Sequence, residues 1–338
     1  MDNDLGVPHR KYWLDDGSLV VKLGNDLFKV HRSVLVRQSP SFYPSLRRLT
    51  TNDEPPPSDG RGIEKSKTFD TETSNDAERV LIDNTPVFSV NPQMTITTRD
   101  FEALLTYLYR DIPLNASAND SFHDVYHLLR ASSPQTCNFP EAYAWAVQLW
   151  SDMFAAHPLT TEFGTWKNLH DALAISSDLR LKTVEKALFY AIVVSPDIHL
   201  EVPSSAETPS DAQIPHSSDL IASSHTQLSR RDYQRCSQLM HIIINHFTPM
   251  LFQPQTAGHM QCTDVLADRW MPLVVQPALA NDGVYKPLET LRSMANIDWA
   301  NEGLCESCIS EKRKEWKEDA IDIWDRMDEW IELIDRNE

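Results

Sequence analysis

Apolar side chains alternate at period two only in the N-terminal part of this chain, and beyond it they recur at helical spacing. Leu19, Val21 and Leu23 alternate with Val20 and Lys22, and after Gly24-Asn25-Asp26 the residues Phe28 and Val30 alternate with Lys29 and His31, which predicts a β-hairpin. Arg79-Val80-Leu81-Ile82-Asp83 reads as a third strand. A doubly wound parallel sheet needs a new strand after each helix. Strands early and helices late therefore predict an α+β fold: a small sheet with clustered helices, then an all-α C-terminal domain.

The helices announce themselves locally. Ser39-Pro40 reads as an N-cap with proline at the first helical position, opening a short helix through Phe42 and Leu46. Thr97 and Asp100 have the spacing of a capping box ahead of Phe101, Leu104, Leu105 and Leu108. Further helical faces are Ala142, Trp145, Leu149 and Met153; Trp166, Leu169 and Leu173; and Leu181, Val184, Leu188 and Ala191. Near the C-terminus, Trp316, Ala320, Ile323, Met327, Trp330 and Ile334 lie on one face, a stripe expected to dock on its own domain.

Two stretches lack the apolar content to offset the entropy of ordering. Residues 50–78 are expected to be a disordered insertion, and 197–229, rich in Ser, Pro, Ala and Thr, a flexible linker. These divide the chain into a first domain over 1–196 and a helical domain over 230–338.

A net charge of −18 repels phosphate backbones, so nucleic acid is not an expected direct partner. No apolar run reaches the length of a membrane span, and the acidic start has neither a secretory nor a transit pattern, so an intracellular protein of the cytoplasm or nucleus is expected. Five cysteines in a reducing compartment default to thiols or metal ligands.

The segment from Asp16-Gly17-Ser18 through Phe28-Lys29-Val30-His31-Arg32 to Ser39-Pro40-Ser41-Phe42 closely resembles the start of a BTB/POZ domain. Phe101 to Tyr109 looks like that family's helix ending in a Leu-Tyr pair, and 166–192 is similar to its closing helix pair. The likeness covers residues 12–195, interrupted by 50–78 and by an extra region over 115–164. The C-terminal half, with Cys-x-x-Cys ahead of a Trp-rich helix, resembles the tails of BTB proteins from fungal family expansions. The resemblance implies a non-enzymatic interaction module that forms homodimers or joins other proteins, a cullin-type ubiquitin-ligase scaffold or transcriptional regulators among them. It places Asp16, His31, Arg32 and Phe42 in an interaction site. Asp16 has a plainer reading as a turn cap and His31 as a residue satisfying backbone groups.

Enzyme signatures are lacking: the chain has no Gly-rich phosphate loop, no His-Glu-x-x-His and no Gly-x-Ser-x-Gly. The alternative is a zinc-dependent enzyme or redox protein built on two pairs of equal spacing, His259-Met260-Gln261-Cys262 and Cys305-Glu306-Ser307-Cys308. Two residues between donors let both grip one tetrahedral ion, so His259, Cys262, Cys305 and Cys308 are candidate ligands of one structural zinc. Cys236, His241 and His246 are competing donors, and packed thiols without metal are the plain alternative.

Overall fold

A computed structural model describes residues 6–49, 80–91, 93–111, 122–195 and 228–336. The expected insertion over 50–78 lies outside the described residues, as does the expected linker over 197–229 except for its last two. The fold is mixed, with a small N-terminal sheet and a helical C-terminal part. The chain forms two compact units, 1–153 and 154–338.

In the first unit, β1 (Val7–Trp13), β2 (Leu19–Leu23) and β3 (Asp26–Val30) precede α1 (Arg32–Gln38) and α2 (Phe42–Ser45), followed by β4 (Arg47–Arg48), β5 (Leu81–Ile82) and β6 (Thr85–Ser89). The helices α3 (Thr98–Tyr109), α4 (Phe122–Ser132) and α5 (Pro140–Met153) complete it. The sheet runs β1-β3-β2-β6-β4, with β5 paired to β6. The predicted hairpin forms in full register from Leu19↔Val30 to Leu23↔Asp26, and Gly24, at φ +59°, makes its turn. β6 lies parallel to β2, pairing Val20 with Val87 and Val21 with Phe88, so Val20 and Val21 are wholly buried. The expected third strand contributes only β5. Asp83 and Asn84 turn it back, both at positive φ as a tight hairpin needs, and β6 is the strand that enters the sheet centre.

Ser39 serves two helices: it caps the C-terminal end of α1, and its Oγ accepts from the Phe42 amide at 3.2 Å as an N-cap would, with α2 beginning at Phe42. The Thr97–Asp100 capping box is present on α3. Its buried Phe101 meets Phe28 edge-on at 5.0 Å, joining helix to sheet.

The described part of the expected extra region, 122–164, crosses from the first unit into the second at residue 153. It contains α4 and α5, and α4 buries Phe122, Val125, Leu128 and Leu129 on a helical stripe in the α3–α4 packing. Trp150 of α5 closes over Phe122 at 5.3 Å. These two helices complete the first unit.

The helices that sequence assigned to the close of the first domain, α6 (Leu169–Asp178) and α7 (Lys182–Val194), belong to the second unit, so the units divide well before 196. The physical reason is α7 itself. Every residue from Ala187 to Val194 is buried, which demands partners on all sides, and α8 (Arg230–Phe252) supplies one of them. Then come α9 (Met260–Trp270), a π-helical turn over Met271–Val275, α10 (Gln276–Ala280), α11 (Pro287–Asn296), α12 (Trp299–Glu302) and α13 (Glu306–Arg336). Pro272 lies within this turn and Pro277 just after it in α10, where the missing amide donors suit a looser ladder. The expected stripe of α13 is inward: Trp316, Ala320, Ile323, Met327 and Ile334 are buried. Phe163, in a 3-10 turn ahead of α6, wedges between Tyr190 at 4.8 Å and Trp324 at 5.5 Å. Among the described residues no helix is long and apolar enough to cross a membrane.

Candidate metal centre

Two helix starts build the site. His259 is the N-cap residue of α9, in extended conformation, and Cys262 lies one turn further on. A closed loop fixes this start: the Ala257 amide donates to Thr263 Oγ1 at 2.9 Å, and the Thr263 amide donates to the His259 carbonyl at 3.0 Å. Cys305 immediately precedes α13, and the Ile309 amide donates to its carbonyl at 3.0 Å. Cys308 sits in that helix's first turn. Gly303, at φ +106°, reverses the chain between α12 and Cys305, a backbone conformation that only glycine adopts without strain. The Arg269–Glu302 ion pair, 3.0 Å, ties α9 to α12 beside this turn.

One ligand atom from each of His259, Cys262, Cys305 and Cys308 lies within 4.8 Å of all the others, a grouping that can hold a metal ion. His259 Nδ1 is 3.3 Å from Cys305 Sγ and 3.5 Å from Cys308 Sγ. Zinc–sulfur bonds near 2.3 Å in a tetrahedron put donor atoms roughly 3.5–3.8 Å apart, so little movement separates this arrangement from a coordinated one. Cys262 and Cys308 are buried, Cys305 is half-buried and His259 is exposed.

The electrostatics of the cluster favour a thiolate. The Cys308 backbone amide, then the Cys308 thiol and the His259 ring, hydrogen-bond to the Cys305 sulfur and bring its pKa down to about 6. Burial pushes the Cys308 thiol up, and its neighbours Cys305 and Cys262 add to that. A cation placed among the sulfurs would reverse the second effect. The remaining cysteines are of another kind: burial drives the thiols of Cys137 and Cys236 far up, as expected for packed side chains.

The competing donors do not join the cluster. Cys236 is in the buried face of α8, and His246, also on α8, packs its ring on Trp330 at 5.2 Å. His241 is another exposed residue of α8 outside the group.

The residues placed in an interaction site by resemblance are all in the first unit. His31 Nε2 pairs with Asp16 Oδ2 at 3.1 Å, while the Tyr109 hydroxyl accepts from the His31 amide at 2.9 Å and meets His31 Nδ1 at 3.0 Å. The hydrogen bond from His31 holds the exposed Asp16 carboxyl below its usual range. The Arg32 guanidinium lies 4.2 Å from the centre of the Tyr43 ring. Phe42 differs from the expectation. It is 1% exposed and packs on Phe139 at 5.4 Å and Phe101 at 6.1 Å, because its position at the start of α2 turns the ring into the core.

Sequence reading did not anticipate β1. Its outer edge carries no strand among the described residues, and His9-Arg10-Lys11 break any alternation that would have revealed it. The ring of His9 nevertheless stacks on Phe28 at 4.5 Å, and the Tyr12 hydroxyl reaches Thr106 Oγ1 at 2.8 Å, so the strand is anchored on one side. No family model, no curated protein and no solved structure matches this chain.

Proposed function

We propose that this protein is a non-enzymatic association module whose helical unit is stapled by one structural zinc ion. The observation that carries the zinc half is the convergence of three thiol sulfurs and one imidazole nitrogen from two distant helix starts. Soft thiolates with one imidazole suit zinc, and four protein donors fill a tetrahedron, leaving no position for a water to be activated or a substrate to be polarised. That favours a structural role over the hydrolytic or redox alternative.

The association half rests on the first unit. A hairpin, two short helices, a strand returning beside the hairpin and a capped helix follow the order that the BTB/POZ resemblance implies, whereas the pair likened to its closing helices, α6 and α7, lies in the second unit. Among the described residues the seven-residue β1 forms a sheet edge with no strand beyond it, a place where a second copy or another protein chain can add.

Metal analysis of the full chain, purified without chelators, is expected to find about one zinc per chain, lost when Cys305 and Cys308 are both changed to serine. Sedimentation across a concentration series is expected to show mass above the monomer. A metal-free protein overturns the zinc reading, and a monomer at every concentration overturns self-association.

A further inference from the structure

We propose that Cys305 is a peroxide-sensitive latch on this metal centre: oxidation joins Cys305 to Cys308 and releases the ion. The proposal rests on the zinc reading above and adds to it the way the site opens.

The asymmetry of the ligand set carries the argument. Cys262 is 4% exposed and Cys308 2% exposed, whereas Cys305 is only half-buried, so one sulfur is open to a small oxidant and two are shielded. Cys305 also lies just outside α13, at the residue before its first turn. Its resolving partner is already in place. Residues three apart in a helix's first turn have Cα atoms roughly 5–5.5 Å apart, inside the range a disulfide spans. Cys262 lies in the same group but is buried and on another helix, α9, and a mapped Cys262–Cys305 bridge in place of Cys305–Cys308 overturns the local cross-link.

The chemistry balances with hydrogen peroxide as oxidant. The Cys305 thiolate attacks one peroxide oxygen, the O–O bond breaks, and hydroxide leaves, giving a sulfenic acid and, with one proton, water. The Cys308 thiolate then attacks that sulfur. An S–S bond forms, hydroxide leaves from sulfur and takes a second proton, and the peroxide has been reduced to two waters by the two electrons the sulfurs lost. With two of four donors consumed, zinc departs.

The structural result is a change in the span of the cross-link. Zinc ties His259 to Cys305, 46 residues away in sequence, whereas the disulfide closes a loop within one helical turn. The long-range clasp between α9 and α13 is exchanged for a local one that constrains almost nothing.

The test uses the zinc-loaded full chain, hydrogen peroxide, a zinc-sensitive dye and peptide mass mapping. Release of one zinc with a Cys305–Cys308 bridge, reversed by dithiothreitol and added zinc, is expected. Cys305→His keeps four donors, and it is expected to lose zinc about tenfold more slowly because the accessible sulfur is gone. Equal release from both proteins, or a mapped bridge that excludes Cys305, overturns the latch and leaves the zinc reading standing. A chain that binds no zinc overturns both. The bridge is mapped in the unaltered chain, so the proposal stays open to refutation even if Cys305→His binds poorly.

Discussion

Asp100 Oδ1 lies 2.7 Å from His127 Nδ1, so the residue that caps α3 also anchors α4 to it. The carboxyl is wholly buried, and its other oxygen accepts from the Thr97 amide at 2.7 Å. Burial pushes its pKa up, but the hydrogen bonds from His127 and Thr97 and the nearby Arg130 outweigh this and hold it below the usual value.

The sign of the pH effect follows. A carboxyl with a depressed folded-state pKa stabilises the fold above the unfolded pKa and loses that contribution as the pH falls through the folded value. Asp100→Asn is expected to destabilise the first unit by about 1–3 kcal/mol at neutral pH, with the gap to the parent chain closing below about pH 4. Urea unfolding at both pH values measures it.

Arg235 is 5% exposed, pairs with Asp335 at 2.8 Å and Asp232 at 3.5 Å, and lies 4.5 Å from the centre of the Phe189 ring. It is the cation on which the buried Asp232 of α8 and the half-buried Asp335 of α13 converge, and Glu185 of α7, its carboxyl raised by burial, faces the same charges. Arg235→Ala leaves the acids uncompensated and is expected to cost about 3–5 kcal/mol, read from the urea midpoint of the second unit. Added salt should recover little, since the group is shielded from solvent.

Chelation of zinc is expected to loosen the second unit while the first keeps its near-ultraviolet signature, because all four donors belong to the second. Cys137→Ser should leave zinc content unchanged, its sulfur being buried in the first unit. Metal analysis and circular dichroism before and after chelation decide both points.

Gly303→Ala forces a Cβ into the left-handed region at φ +106°. The expected cost is about 1–3 kcal/mol of strain at the turn that delivers Cys305. Competition titration against a chelator should show weaker zinc retention, and unchanged retention would argue that the turn does not set the site.

How far the sequence foretells this structure depends on whether the signal is local. The hairpin over Leu19–Val30, the Thr97–Asp100 cap and the stripe of α13 rest on neighbours within a few residues, and each is where the pattern puts it. The two donor pairs are equally legible, yet only the fold brings His259 to Cys305. β1 was hidden because an exposed edge strand carries little alternation. The division of the chain was misplaced for a different reason. A low-complexity stretch marks where packing is absent, but it does not say which flank claims α6 and α7. Only the wholly buried run from Ala187 to Val194 in α7 demanded helical partners, and those come later in the chain.

All four candidate metal donors precede the buried stripe from Trp316 to Ile334 in the order of synthesis. A growing chain therefore carries the complete donor set before it carries the stripe that packs α13. Metal capture at that stage would fix α9 against the root of a helix not yet made, and the emerging residues would extend from an anchored start instead of searching for one. In that sequence of events a bound ion would act as a foundation for α13, laid before its buried stripe exists.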